Sequence, residues 1–478
     1  MGICRLGVLL RLPYVCFAFS FCGLYIRFSV TTRLTLPRFL VSMMLAPSVP
    51  QVLATFRPDG GDESLGSFSV TVYILGFCVG PLLLAPLTDL YGRTRLYRVY
   101  IVGYIALTVA CALSPTLETL IVFRFFAGCF GGAPMAIGGA VIADMYAPGE
   151  RMRPMACYSA GTMLGPTLGP ALGSVVTGSL DWRWVFWIAS ILAGIAAIGL
   201  FFVLSESHLP TLQRRAGVRS SRVRATEANI DGQPRRTSTA QPPVPAPAPI
   251  ISVLTRAISL PGRIALFHLP CALVLALICV FNGLTNMILS SLGSVYQTAY
   301  GFPTITAGLS YLGIGLGGLT ALSFASKMAT AVAVKFGGEE GAKRPENALP
   351  FLFIIGPLGS IGLLWYGWSL EARVHWIVPI LGLFFFGFTY LSVRLATQVI
   401  LVEAVPNFSA SALAAHTVAS SIGGAFVPLS TFPLYRAIGY GWGNTVIAGI
   451  NLSACLIPLG MFAIARKRGS KWSMVVSL

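Results

Sequence analysis

Apolar residues run along this chain in blocks of about twenty, with short polar breaks between them. The blocks fall at about 34–55, 66–88, 96–114, 117–144, 155–179, 183–204, 264–290, 303–327, 349–368, 375–400, 409–434 and 443–465. A helix that crosses a hydrocarbon core needs about 20 mostly apolar residues. The pattern predicts twelve membrane-spanning helices, six on each side of a long polar insert. Barrel strands would be about 10 residues long with strict alternation, and these blocks do not alternate.

Composition agrees. Hydrophobic residues make up 55% of the chain and charged residues 10%, against about 25% charged in a soluble domain. Too little charge remains to cover a water-facing surface, so most of the chain should lie in a bilayer.

The net charge of +17 would suggest nucleic acid in a soluble protein. Here its distribution follows the positive-inside rule. One set of alternate breaks collects Arg93, Arg95, Arg98, Arg151, Arg153, Lys327, Lys335, Lys343, Arg344 and the cluster after Ala465, together with the arginines of the insert. The other set holds only Arg57, Arg183, Arg373 and Arg436. The basic side should face the cytosol, with both termini there. On this orientation Asn407-Phe408-Ser409 is cytosolic and Asn451-Leu452-Ser453 lies within helix 12, so neither should be glycosylated.

The expected organisation is an atypical N-terminal segment 1–33, a six-helix bundle 34–204, a cytosolic loop 205–262, a second bundle 263–465 and a cytosolic tail 466–478. The loop is basic, then rich in Pro and Ala ("QPPVPAPAPI"), and is expected to be disordered because it cannot bury a core. The stretch from Leu6 to Ile26 is apolar but interrupted by Arg11, and "CGLYIRF" is a poor signal-peptide cleavage site. It reads as an interfacial segment or a wrongly read exon in preference to a thirteenth span.

Ten cysteines are scattered without a CxxC pair, and His208, His268, His375 and His416 lie far apart. No metal or cofactor site is expected. No GxxxxGK[ST] loop is present to cradle phosphates, which argues against an ATP-driven pump. No enzyme chemistry is visible.

Ionisable groups inside spans are costly and therefore informative. Arg124 lies in "LIVFRFFAGCFGGAP" on helix 4, several residues from either end. It should face the bundle interior and pair with a carboxylate, a carbonyl or a substrate. Arg394 on helix 10 lies nearer an end, where a snorkelling side chain is the simpler reading. The acids Asp89, Glu118, Asp144 and Glu403 all fall near helix ends, so no proton carrier stands out. The end of helix 2 combines Asp89, Gly92, Arg93 and Arg95 around a tight turn.

Helix 5 carries a stripe of glycines four apart, Gly161, Gly165, Gly169 and Gly173, with Pro166 and Pro170 between them. Small residues at this spacing let a second helix approach closely. The expected partner is helix 8, whose Gly313 and Gly317 are also four apart.

In order along the chain, "LAPSVPQ", "APLTDLYGRTR", "LIVFRFFAGCFGGAP" and "GTMLGPTLGPALG" resemble the motifs of helices 1, 2–3, 4 and 5 of the major facilitator superfamily. "DWRWVFWI", "LLWYGWSLEARVHWIVPI" and "GYGWGNTVIA" are similar to its twelve-helix fungal drug:proton antiporter group. Ala85 and Thr94 depart from the helix 2–3 pattern, and Arg394 stands where an apolar residue is more usual. The resemblance implies an all-α membrane protein of the major facilitator fold, with twelve helices in two pseudo-symmetric six-helix bundles and a substrate site between them. It implies export of a small organic molecule by proton antiport and alternating access. Arg124 would respond to proton and substrate, with Arg394 as a second candidate. Asp89, Gly92, Arg93 and Arg95 would latch the cytosolic face, and the helix 5 glycines and prolines would seal the helix 5–8 seam. The expected partners are a small-molecule substrate, protons and lipid, in a monomer at the plasma membrane. The alternatives are an importer of the same fold, for a polyamine or another nutrient, and a channel.

Overall fold

The computed structural model describes residues 43–56, 63–84, 87, 93–145, 165, 168–203, 259, 262, 268–341, 345–405 and 409–468. The N-terminal segment 1–33, all of the insert 205–262 but Ser259 and Gly262, and the tail beyond Arg468 lie outside the described residues. Among the described residues every regular element is a helix.

In the first bundle these are α1 (Val49–Phe56), α2 (Glu63–Leu84), α3 (Arg93–Ala112), α4 (Leu117–Met145), α5 (168–179) and α6 (Arg183–Val203). In the second they are α7 (Leu269–Tyr300), α8 (Leu312–Gly341), α9 (Leu349–Glu371), α10 (Ile377–Ala404), α11 (Ser409–Phe426) and α12 (Thr431–Arg468). Six helical stretches among the described residues are long and apolar enough to cross a membrane, and the last of these, Ser411–Lys467, covers two predicted spans.

Local chemistry sets the helix ends. Pro270 stands in the first turn of α7, where its missing N–H costs nothing. Gly301 ends that helix at φ 66° and donates its N–H to the Gln297 carbonyl at 3.0 Å. A turn of 3-10 helix, Val427–Ser430, links α11 to α12. The predicted break between the last two spans lies inside α12, at Gly439 (φ 77°, ψ 177°). The Glu371 carboxylate caps the new turn, accepting from the N–H of Tyr440 at 3.0 Å and of Gly441 at 3.2 Å.

Lipid offers no hydrophobic drive between helices, so close packing and polar contacts must hold them together. α2 lies against α4, and α3 against α4 and α6. In the second bundle α9 packs on α10 and α12, α8 on α10, and α7 on α11. Asn451 is fully buried and donates to the Ser360 hydroxyl at 2.9 Å, while Ser360 donates to the Ala448 carbonyl at 3.1 Å. The side chain of Asn451 thus acts as interhelical glue.

The expected pairing of glycine stripes is corrected by the structure. Gly313 and Gly317 of α8 face α10, not helix 5. A methyl on Gly313 would lie 2.7 Å from the Ile380 carbonyl oxygen, and one on Gly317 2.8 Å from the Phe388 nitrogen. Gly173 faces the first helix, against the Met44 carbonyl. The α5–α8 seam exists but is built from Gly308 against Ser174 and Ala171, and from Gly178 against Ile305. The reason is helical phase. Four residues turn about 400° at 3.6 residues per turn. A stripe spaced by four therefore drifts about 40° per step, so the neighbour each glycine meets depends on the phase and tilt of its helix. Gly165, Gly169 and Pro170 are buried, whereas Gly161 and Pro166 lie outside the described residues.

Among the described residues the two bundles meet along α2 and α11, and again at the end that carries few basic residues. Besides the α5–α8 seam, α7 touches the 3-10 turn Ala46–Ser48 that precedes α1, and α2 lies along α11. A cleft of about 280 Å³ sits between them, lined by Pro47, Leu53 and Val70 on one side and by Ser290, Ser294 and Phe432 on the other. Within the first bundle this end is stitched by Gln51, which donates to the Thr177 carbonyl at 2.8 Å, and by Trp182, whose indole N–H reaches the Thr55 hydroxyl at 3.3 Å.

Candidate substrate site

Arg124 is where the cost of burying a charge requires it to be, inside its bundle, at 1% exposure. Its guanidinium carbon lies 5.3 Å from the ring centre of Tyr73 on α2 and 5.5 Å from that of Phe186 on α6. Tyr104 and Cys111 of α3 are its further electrostatic neighbours. Two aromatic faces offer a desolvated cation the negative lobes of their quadrupoles. Arg124 thus sits among α2, α3, α4 and α6.

Arg394 does not snorkel. It turns inward, because α7 and its own helix offer acceptors there. Its Nη1 donates to the Tyr390 hydroxyl at 2.9 Å and to Asn282 Oδ1 at 3.4 Å. Tyr390 passes its own O–H to Asn282 Oδ1 at 2.7 Å. Asn282 Nδ2 donates to the Ser420 carbonyl of α11 at 2.6 Å, and Asn286 Nδ2 to the Asn282 carbonyl at 2.8 Å. One turn along α10, Thr397 Oγ1 lies 3.1 Å from Nε2 of the buried His416. His416 is itself within electrostatic reach of Arg394. Hydrogen bonds in such a chain polarise and strengthen one another in a low dielectric.

This network joins α7, α10 and α11 and reaches the seam with the first bundle. A methyl on Gly424 would lie 2.7 Å from Asn282 Nδ2, 2.9 Å from Asn286 Nδ2 and 3.3 Å from Ile74 of α2. The structure therefore separates the two candidate arginines, one in each bundle. Of the helix 2–3 turn, Asp89 and Gly92 lie outside the described residues, Arg93 opens α3 with its side chain outside them, and Arg95 is exposed.

Asn282, Asn286, Tyr390, Thr397 and Ser420 are not among the residues expected from the sequence, and His416 enters there only as a possible metal ligand. The signals were present. Two asparagines stand four apart in the apolar "FNGLTNMI", and Tyr390, Arg394 and Thr397 recur at helical spacing.

Residues 34–428 match the family description Major Facilitator Superfamily. The chain belongs to this superfamily. It is similar to "Efflux pump radE" of Floropilus chiversii, 36% identical over 88% of this chain and 77% of that protein. It is also similar to "MFS-type transporter MFS19" of Alternaria alternata, 37% identical over 90% of this chain and 85% of that protein. Its fold matches that of the xylose transporter XylE from E. coli in a partially occluded inward-open conformation. The TM-score is 0.66 at 17% identity, over 91% of this chain and 97% of that one. This major facilitator protein is a multi-pass membrane transporter for a small molecule, and two packed six-helix bundles are its architecture.

Proposed function

We propose that this transporter exports a small organic molecule, a secondary metabolite or toxic compound, across the plasma membrane in exchange for protons. The observation that carries the reading is its likeness, across most of its length, to a protein named an efflux pump. The bundle contacts supply a geometry for it. The α5–α8 seam lies at the sparsely basic end, which the positive-inside rule makes the outer face, and in this reading it closes the molecule to the outside. Rocking the bundles about the midplane would break the α5–α8 seam and open that face. Arg124, desolvated and held by two rings, responds to proton and substrate occupancy in this reading. Asp89, Gly92 and Arg93 latch the cytosolic face in the other state, with both termini in the cytosol.

The test is cellular accumulation of labelled organic compounds, including dyes and polyamines, in cells with the intact chain and with Arg124→Ala, each with and without a protonophore. Lower accumulation that disappears with either change is the expected result. Higher accumulation in cells with the intact chain would mean import. Export that a protonophore leaves unchanged would refute proton antiport.

A further inference from the structure

We propose that the α7–α10–α11 network is an anion-recognition site, and that the carried molecule presents to Arg394 a carboxylate or an acidic enol or phenol. The proposal rests on reading the chain as a carrier of small organic molecules and narrows that reading to a chemical class.

A guanidinium has five N–H donors in a rigid fork. Among the described residues only Nη1 of Arg394 is engaged, and both of its acceptors, the Tyr390 hydroxyl and the Asn282 amide oxygen, are neutral. Nε is buried and meets no acceptor among the described residues. Nε and Nη2 are the parallel donor pair that a carboxylate accepts in bidentate fashion. The unused part of the fork is the part suited to an anion.

Charge balance points the same way. Among the described residues no carboxylate pairs with Arg394, and no Asp or Glu is buried. A buried charge without a counter-charge is expensive, and an anionic substrate would supply one. A cation such as a polyamine would meet repulsion from Arg394.

The neutral neighbours hold the fork in place. Tyr390 spends its O–H on Asn282, so its oxygen can only accept, and it accepts from Arg394. Asn282 is fixed in turn by the Ser420 carbonyl. His416 has its ring nitrogen on Thr397, one turn along α10 from Arg394, and adds no negative charge. The network touches α2 through Gly424, so access to it changes when the bundles rock.

The test uses the full chain, purified in lipid nanodiscs. Binding is titrated for a panel of aromatic and alicyclic carboxylates, each beside its methyl ester and the matching primary amine. The acids should bind at least about tenfold more tightly than the esters, the value of one charge-assisted hydrogen bond, and the amines more weakly than either. Arg394→Gln should erase the difference between acid and ester, and Arg394→Lys, which keeps the charge but not the fork, should retain part of it. Acid and ester binding alike, no binding of any acid, or an intact difference in Arg394→Gln would each overturn the proposal. The comparison in the unaltered protein decides even if a variant fails to fold. Acid-selective binding without export of any compound in cells would sink the export reading and leave the site. Export without acid preference would sink the site and leave the export reading.

Discussion

Gly308 opens the 3-10 turn before α8 and is buried against α5. Replacing it by Val tests whether the α5–α8 seam belongs to one conformational state. A Cβ there would overlap the Ser174 hydroxyl, and would lie 2.9 Å from Ser174 Cβ and 3.3 Å from Ala171 Cα. Carbon atoms rest at about 3.5–4.0 Å. The hydroxyl can rotate aside, at the loss of its 2.8 Å bond to the Ala171 carbonyl, worth about 1 kcal/mol. The two carbon atoms ride on the α5 backbone and cannot rotate aside. α5 and α8 must then part by several tenths of an ångström, and overpacking of this kind costs about 1–3 kcal/mol. The cost falls only on the state in which the seam is closed. At about 1.4 kcal/mol per tenfold, the ratio of closed to open molecules should fall by about 5- to 150-fold. Spin labels at Ser179 and Thr306, on a background without reactive cysteines, would report the distance across the seam by pulsed electron resonance. Gly308→Val should add a longer distance, and Gly308→Ala a smaller share of it. Gly194→Ala serves as the control, because a methyl there meets nothing within 4 Å. A distance distribution for Gly308→Val that matches the unaltered protein would refute the reasoning.

Four further outcomes are expected. Gly317→Ala should lower the thermal midpoint of the purified protein by several degrees, about 1–3 kcal/mol of overpacking against the α10 backbone, whereas Gly194→Ala should leave it in place. Glu371→Ala removes the acceptor for the N–H groups of Tyr440 and Gly441. It should cost about 1 kcal/mol, as lost helix caps do, visible as a lower midpoint with export retained. Arg124→Met should abolish protonophore-sensitive export, while Arg124→Lys should keep a fraction of it by leaving a cation near the Tyr73 and Phe186 rings. A protease site appended after Leu478 should be cut from the cytosolic side and not in intact cells, and cleavage from outside would reverse the orientation.

Arg124 and Arg394 show where sequence reading stops. Both stand out in the sequence as ionisable groups within spans. For Arg124 the inward direction followed as well, since a charge so far from either helix end has nowhere else to go. For Arg394 the helix end was close enough to snorkel, and the choice depended on acceptors at Asn282 and Tyr390. Tyr390 shares its helix and was in view. Asn282 is more than a hundred positions away in the chain, so no local pattern could bring it to the arginine. The glycine stripes failed in a similar manner. Their spacing correctly predicted close helix contact, but not that Gly317 would meet α10 and Gly173 the first helix.

The spans and the split into two halves were therefore fixed by the chain alone. In a bilayer each helix must satisfy its own backbone hydrogen bonds within itself, so length, apolar content and turn residues suffice, and they are local. Which face meets which neighbour was decided only by tertiary structure. Each residue turns a helix by about 100°, so a small change of tilt or phase exchanges one partner for another. The seam at Gly308 and the polar network around Arg394 exist only once twelve such choices are made together.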